Sequence, residues 1–272
     1  MSLLWHERVR ISVSPHQVAM VRFSRGLRPR VADRKSMPCA AAAKGQGNWA
    51  DAVEVLRDLL VHPNVGRGDA TLILSSHFIR YVVLPWSGEL VTEAEELEFA
   101  RTRFIQVFGQ TARDWAIVMS PAPAGASRLC AAVDQALISA ATGVVAASGL
   151  RLLSVQPALM AQFNEWRGRI GAEGWLATVE QGRLLMAWIS GGQWRSVRVR
   201  PLNGASVSLA QVLEQEQLLL AAGSASSKVY LAKVGNVSVE TDGLKVERLS
   251  LRAPFARAAG ADAGLALAMC GL

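Results

Sequence analysis

The sequence predicts an α/β fold of two lobes, each a mixed sheet with a β-meander and flanking helices. Three observations carry this. A meander with a tight first turn, followed by helix and strand, occurs once in each half of the chain. The length of 272 residues is long for one simple domain and short for three. Half of the residues, 51%, are apolar, which is enough for a sizeable core.

The first half opens with alternation at Arg8 to Ser14, a turn at Ser14-Pro15-His16 and a second strand at Gln17 to Phe23. Gly26 marks another turn, and a short third strand is expected at Pro29 to Ala32. Ser36 to Gly47 is rich in Ala and Gly and reads as a loop. Asn48 then caps a helix from Trp49 to Val61, with Val53, Leu56, Leu59 and Leu60 on one face. Ala70 to Ser75 and Phe78 to Leu84 read as a pair of strands joined at Ser76-His77.

Thr92 and Glu95 make a capping box that opens a helix to Phe108, and Glu93, Glu95 and Glu96 favour its positive end. Leu97, Ala100, Phe104 and Phe108 are its apolar stripe. Trp115 to Met119 and Arg128 to Val133 are strands. Asp134 caps a helix that Gly149 stops. A strand at Leu152 to Val155 and a helix from Pro157 to Trp166 close this half.

Gly168 to Gly174 reads as the link, so residues 1–170 form the first lobe, with an inserted subdomain at about 86–154, and 171–272 the second. The second meander is Trp175 to Val179, Arg183 to Ile189 and Trp194 to Val199. Its turns, Glu180-Gln181-Gly182 and Ser190-Gly191-Gly192, suit hairpins. A helix is expected at Ser208 to Ala222 and a strand at Val229 to Val234. Thr241-Asp242-Gly243 should join two short strands, and a last helix should run from Gly260 to Met269.

The net charge is +7, from 29 basic and 22 acidic side chains. A solvated basic surface explains it, and nucleic acid, anionic lipid or an acidic partner are the sharper readings. Arg22, Arg25, Arg28, Arg30, Arg34 and Lys35 crowd the first meander, but aromatics for stacking on bases are nearly absent there. Cys39, Cys130 and Cys270 are odd in number and widely spaced, which implies reduced, buried thiols. The start has too short an apolar run for a signal peptide, and no run of about 18 apolar residues would span a membrane.

Catalytic signatures are missing. His6, His16, His62 and His77 lack metal-ligand spacing. There is no GxSxG elbow and no GxxxxGK[ST] loop, and Ser224 to Lys228 reads as a loop rather than a Ser–Lys pair. The glutamates from Glu89 to Glu98 have no spaced basic or metal partner for acid–base work. A docking surface at Glu93, Glu95 and Glu96 is the sharper alternative to a solvated face.

Two facing lobes with phosphate-side hairpins are the layout of the actin-like, sugar-kinase and Hsp70-like superfamily, whose lobes have RNase H-like sheets. Within the first lobe, Thr71-Leu72-Ile73-Leu74-Ser75, Tyr81-Val82-Val83-Leu84-Pro85 and the Glu-rich helix resemble the pilus assembly protein PilM. They also resemble the cytoplasmic domain of type II secretion protein L. Ala147 to Val155 resembles those families' passage of helix, Ala-x-Gly-Leu and strand. Gly264-Leu265-Ala266-Leu267-Ala268 resembles their closing helix.

The resemblance implies an ATP site, and the sequence departs from it. Ile11 to Gln17 has no acidic residue for magnesium and no glycine, and Pro15 removes an amide donor. The second turn keeps only Glu180 and Gly182, and Lys233-Val234-Gly235 stands where the adenine-side Gly-Gly is expected. A vestigial cleft of Ser12, Ser14, His16, Glu180, Gly182 and Gly235 is therefore expected, with no cofactor, no metal and no hydrolysis. Ser12, Ser14 and His16 stand either as anion donors or as ordinary turn chemistry.

The resemblance further implies a cytoplasmic scaffold of a type IV pilus or type II secretion assembly, associated with the inner membrane through its partners. It would hold the short cytoplasmic tail of a single-span membrane protein, with an assembly ATPase as a further partner and basic residues near the anionic leaflet. Two rivals stand beside it. One is an actin-like switch that binds ATP with magnesium between Ser12 and Glu180. The other is a nucleic-acid-binding protein using Arg22 to Lys35, whose binding would fall steeply with salt.

Overall fold

A computed structural model describes residues 7–24, 26, 29–40, 48–61, 68–202, 206–220, 228–233 and 238–272. Two five-stranded sheets share one plan. The first comprises β1 (Arg8–Val13), β2 (Gln17–Phe23), β3 (Val31–Pro38), β4 (Asp69–Leu74) and β8 (Arg151–Pro157), in the order β3-β2-β1-β4-β8. The second comprises β9 (Gly174–Glu180), β10 (Arg183–Ser190), β11 (Gln193–Pro201), β13 (Lys228–Lys233) and β15 (Lys245–Leu249), in the order β11-β10-β9-β13-β15. In each, an antiparallel meander is extended by two parallel strands on the far side of its first member. The expected duplication of two lobes, each a mixed sheet, is present.

Alternation along the strands explains the layers. In β1, Val9, Ile11 and Val13 face the main core, which α1 (Trp49–Leu60) covers with Val53, Leu56 and Leu59. In β2, Ala19, Val21 and Phe23 face the other way, onto α6 (Ala253–Ala259) and α7 (Ala263–Ala268). On this second face lie two buried polar residues of β1. Ser12 donates to the carbonyl of Gly264 at 2.8 Å. Arg10 donates to the carbonyls of Ala268 at 2.9 Å, Gly271 at 3.1 Å and Cys270. A guanidinium thus satisfies carbonyls that the end of α7 leaves free. The close approach also needs Gly264, because a Cβ there would lie 2.4 Å from Gln17 Nε2 and 2.9 Å from the Ala19 Cβ.

The inserted unit is a three-stranded antiparallel sheet, β5 (Arg80–Leu84), β7 (Arg128–Asp134) and β6 (Trp115–Met119), in the order β5-β7-β6. Helix α2 (Glu93–Phe108) lays Ala100 and Phe104 on it, with Leu84, Ala112, Cys130 and Ala132. Thr92 and Glu95 form the expected capping box. Helix α3 (Gln135–Ala147), capped by Asp134, leaves this sheet and packs on α1 and β8. The lobes share one core, since Leu185, Ala187 and Tyr230 of the second sheet join Ile11 and Leu72 of the first.

Several expectations change. The third strand is longer and later than Pro29 to Ala32, because β3 pairs with all of β2 through Val31–Pro38. Residues 70–75 and 78–84 are not a strand pair. β4 joins the first sheet and β5 the inserted one, with Ser75 to Ile79 as the corner. Gly243 turns the chain as expected, but β14 (Ser238–Glu240) pairs with β12 (Ser206–Ser208) and not with β15. The last helix, expected over Gly260 to Met269, is α7 and starts at Ala263 behind its cap Asp262, and a further helix, α6, precedes it across Gly260. Both pack on the first sheet, although they follow the second in sequence. The remaining helices are α4 (Ala158–Trp166) and α5 (Leu209–Leu219). Cys39, Cys130 and Cys270 are buried free thiols. Burial pushes Cys39 up to about 11 and Cys130 to about 12.

Gly264→Ala is expected to destabilise the fold by about 1–3 kcal/mol through overpacking. Gly143→Ala, in α3 with open space at its Cβ, should stabilise by about 0.5–1 kcal/mol from helix propensity. Urea unfolding of both variants checks the sign of each.

Candidate functional site

Because β1 and β9 hold the same place in matching sheets, their hairpin turns meet across the lobes. The first turn locks itself. Ser14 Oγ accepts from the amides of His16 at 3.3 Å and Gln17 at 3.1 Å, and donates to the Gln17 carbonyl at 2.9 Å. In the second, Glu180 pairs directly with Arg183 across Gln181-Gly182, and Gly182 takes φ +74°. That two-residue turn favours glycine at positive φ. A third segment, Ser75-Ser76-His77 after β4, enters between them.

The carboxylate of Glu180 is buried, 6% exposed, and lies on that third segment. It accepts from Ser75 Oγ and from the Ser76 amide at 3.2 and 3.3 Å. Ser75 Oγ also meets His77 Nδ1 at 2.9 Å. His16 stands edge-on to His77, ring centroids 5.1 Å apart. Gly182 lies under both rings, where an added Cβ would sit 3.6 and 3.7 Å from their Nε2 atoms. What remains open is a cavity of about 30 Å³, lined also by Ser12, Gln17, Gly264 and Leu267. That is room for a water, against the roughly 300 Å³ at which ligand clefts begin.

Burial dominates the electrostatics. It lowers His77 to about 3, with Arg183, His16 and Arg80 adding to it. It lowers His16, opposed by a hydrogen bond with the Gln181 backbone. Burial raises Glu180, which the bonds from Ser75 and Ser76 and the charge of Arg183 oppose.

Ser12, Ser14, His16, Glu180 and Gly182 therefore come together as the sequence suggested. Gly235 lies outside the described residues, as do Arg25, Arg28, His6, His62 and residues 224–227 of the serine-rich stretch. The sequence reading missed Ser75, Ser76, His77 and Arg183 as members of the cleft. A Ser-Ser-His run directly after a buried strand was the available signal. Among the described residues no three His, Cys, Asp or Glu side chains are grouped to hold a metal.

The three glutamates singled out at the start of α2 divide. Glu95 accepts from the amides of Val91 and Thr92, both at 2.9 Å, and is the cap. Glu96 pairs with Arg128 at 3.3 Å. Glu93 is exposed and makes no ion pair among the described residues. In the basic meander, Arg22 pairs with Glu7 at 3.3 Å and Arg34 donates to the carbonyl of Ala258.

A histidine whose folded pKa is depressed contributes stability that is complete above its unfolded value, near 6.5. The contribution is lost as pH falls toward the folded value. Glu180 has the opposite sense: its contribution is complete below the unfolded value and is lost as pH rises through the raised folded one. Chemical unfolding at pH 7.5 and 5 should therefore show His77→Phe losing less stability than the native chain on acidification. The difference should approach about 1.4 kcal/mol per pH unit below 6.5.

Neither a family model nor a curated protein matches the sequence. Solved structures do match the fold. A PilM–PilN type IV pilus biogenesis complex superposes with TM-score 0.67 at 14% identity, over 97% of both chains. The cytoplasmic domain of EpsL, an inner-membrane component of the type II secretion system of Vibrio cholerae, gives 0.57 at 13% identity over 90% of both. A Bacteroides thetaiotaomicron protein of unknown function with an actin-like ATPase fold gives 0.54 at 11%, over 86% of this chain and 84% of that one. The chain has an actin-like fold, and the resemblance read from its motifs agrees with these neighbours.

Proposed function

We propose that this protein is a non-catalytic scaffold of a type IV pilus or type II secretion assembly. It holds the cytoplasmic tail of an inner-membrane partner and works at the cytoplasmic face of that membrane. The observation that carries the reading is the closed cleft. Where the actin-like layout would place a triphosphate, the chain has its own Glu180 carboxylate on Ser75 and Ser76. A second anion brought there would meet a carboxylate in a desolvated site, which is costly. The hydroxyls of Ser12 and Ser14 are already bonded within the chain. The neighbours favour the same reading: one is described as a pilus biogenesis complex and another as an inner-membrane secretion component. No helix among the described residues is long and apolar enough to cross a membrane.

Titration calorimetry with ATP and magnesium tests the first half of this reading, and no binding up to about 1 mM is the expected result. Tight binding would favour the nucleotide switch instead. The second half concerns the partner. Of Glu93, Glu95 and Glu96, Glu93 is the one that can be reversed without breaking the cap or the pair with Arg128. Glu93→Lys should weaken capture of a basic, single-span partner's tail several-fold, as a rim charge does, with the melting temperature unchanged. Full capture by this variant places the tail elsewhere.

A further inference from the structure

Helix α6 carries its charge on the side away from the core. Phe255 and Ala259 are its buried residues and pack on the first sheet with Ala19, Val21 and Phe23. At roughly 100° per residue, Arg257 stands about 160° from each of them, on the crest of the exposed face. Its Nε donates back to the Ala253 carbonyl of the same helix at 3.4 Å. Arg252, at the N-cap, is exposed and makes no side-chain capping bond. Both flanks of the crest are basic as well. On one, Arg34 of β3 reaches the helix and donates to the Ala258 carbonyl. On the other, Lys233 of β13 and Arg248 of β15 share a hollow of about 320 Å³ with Ala256, Gly260 and Ala261.

Five cations from four elements therefore surround one short helix, and none of them forms an ion pair among the described residues. The carboxylate that lines the hollow, Asp262, is already held by Gln17 at 3.0 Å, by the Leu265 amide at 2.8 Å and by Ser36. The exposed residues between the cations, Ala253, Pro254, Ala256, Gly260 and Ala261, are small. Among the described residues, the exposed large apolar side chains, such as Trp86, Val91, Leu218 and Leu219, all lie on other elements. A protein partner is gripped by large apolar and aromatic anchors, and this face offers none. A charged plane asks only for cations that can reach it, and an arginine on a crest of small residues can.

We propose that the α6 face binds the anionic headgroups of a phospholipid bilayer. Arg252 and Arg257 meet the headgroup plane, Arg34 flanks them, and Lys233 and Arg248 draw a headgroup phosphate to the mouth of the hollow. Basic residues near an anionic leaflet are attracted within a Debye length of its surface. With no large apolar side chain to insert, the contact stays peripheral and reversible. The inference deepens the scaffold reading and rests on it for a membrane close by. It adds direct lipid contact to an association that the reading assigns to a partner.

Flotation of the full chain with vesicles tests this. Vesicles of phosphatidylcholine with phosphatidylglycerol should carry the chain, and vesicles of phosphatidylcholine alone should not. Salt at about 0.5 M should release it. Arg252→Gln and Arg257→Gln should each weaken binding about fivefold, and both together more, with the melting temperature unchanged. Arg103→Gln removes an equal charge from the exposed face of α2 and should leave binding as it is. The proposal is overturned if the anionic vesicles do not bind or if both vesicles bind equally. It is also overturned if the α6 variants lose no more than Arg103→Gln, since net charge would then act without a particular face. A short DNA duplex bound more tightly than the anionic vesicles at equal salt overturns it too, and assigns the face to nucleic acid. Flotation uses no partner and tail capture uses no lipid, so either can fail while the other stands.

Discussion

A buried carboxylate without hydrogen-bond donors is among the costliest groups a protein can hold. Glu180 ends β9, the first hairpin strand of one lobe, and its donors, Ser75 and Ser76, follow a central strand of the other. The group is satisfied only while the two lobes meet. The rest of the cleft is consistent with that demand. Burial lowers the pKa of both histidines, Gly182 fits beneath them, and the first hairpin satisfies itself through Ser14. Under this constraint the meeting of the two hairpins forms a joint between the lobes.

The same economy of polar groups fastens the C-terminus. Arg10 and Ser12 project from the side of β1 that faces α7, and each finds carbonyls of that helix or its end. Gln17 and Ser36 add bonds to Asp262, the cap of α7. The last helix therefore belongs physically to the sheet that the chain builds first. Together with a core shared by both lobes, this ties the C-terminal helices to the rest of the fold.

Two surfaces differ in charge. The start of α2 is acidic, but its glutamates are largely occupied by capping and by Arg128. Around β5 and β11 the surface is basic, and there Arg198 and Arg200 pair with the buried Glu216. A count of charges along the chain finds the first cluster and not the second. Glu93, Glu95 and Glu96 are contiguous in sequence, whereas Arg80, Arg183 and Arg195 come from two lobes.

Local chemistry was legible from the sequence alone. Asn48, Thr92 with Glu95, and Asp134 cap helices where they were expected to. Gly182, Gly191 and Gly192 turn hairpins at positive φ. The repeated meander announced two lobes, because period-2 alternation and turn residues act within a few positions of one another. What only the tertiary structure decided was how segments far apart in the chain pair. β4 and β5 part into different sheets, α6 and α7 return to the first lobe, and Glu180 finds Ser75 across 105 positions. Alternation states that a strand has a buried face but not what buries it. That choice is made by the joint satisfaction of apolar area and buried polar groups over the whole fold.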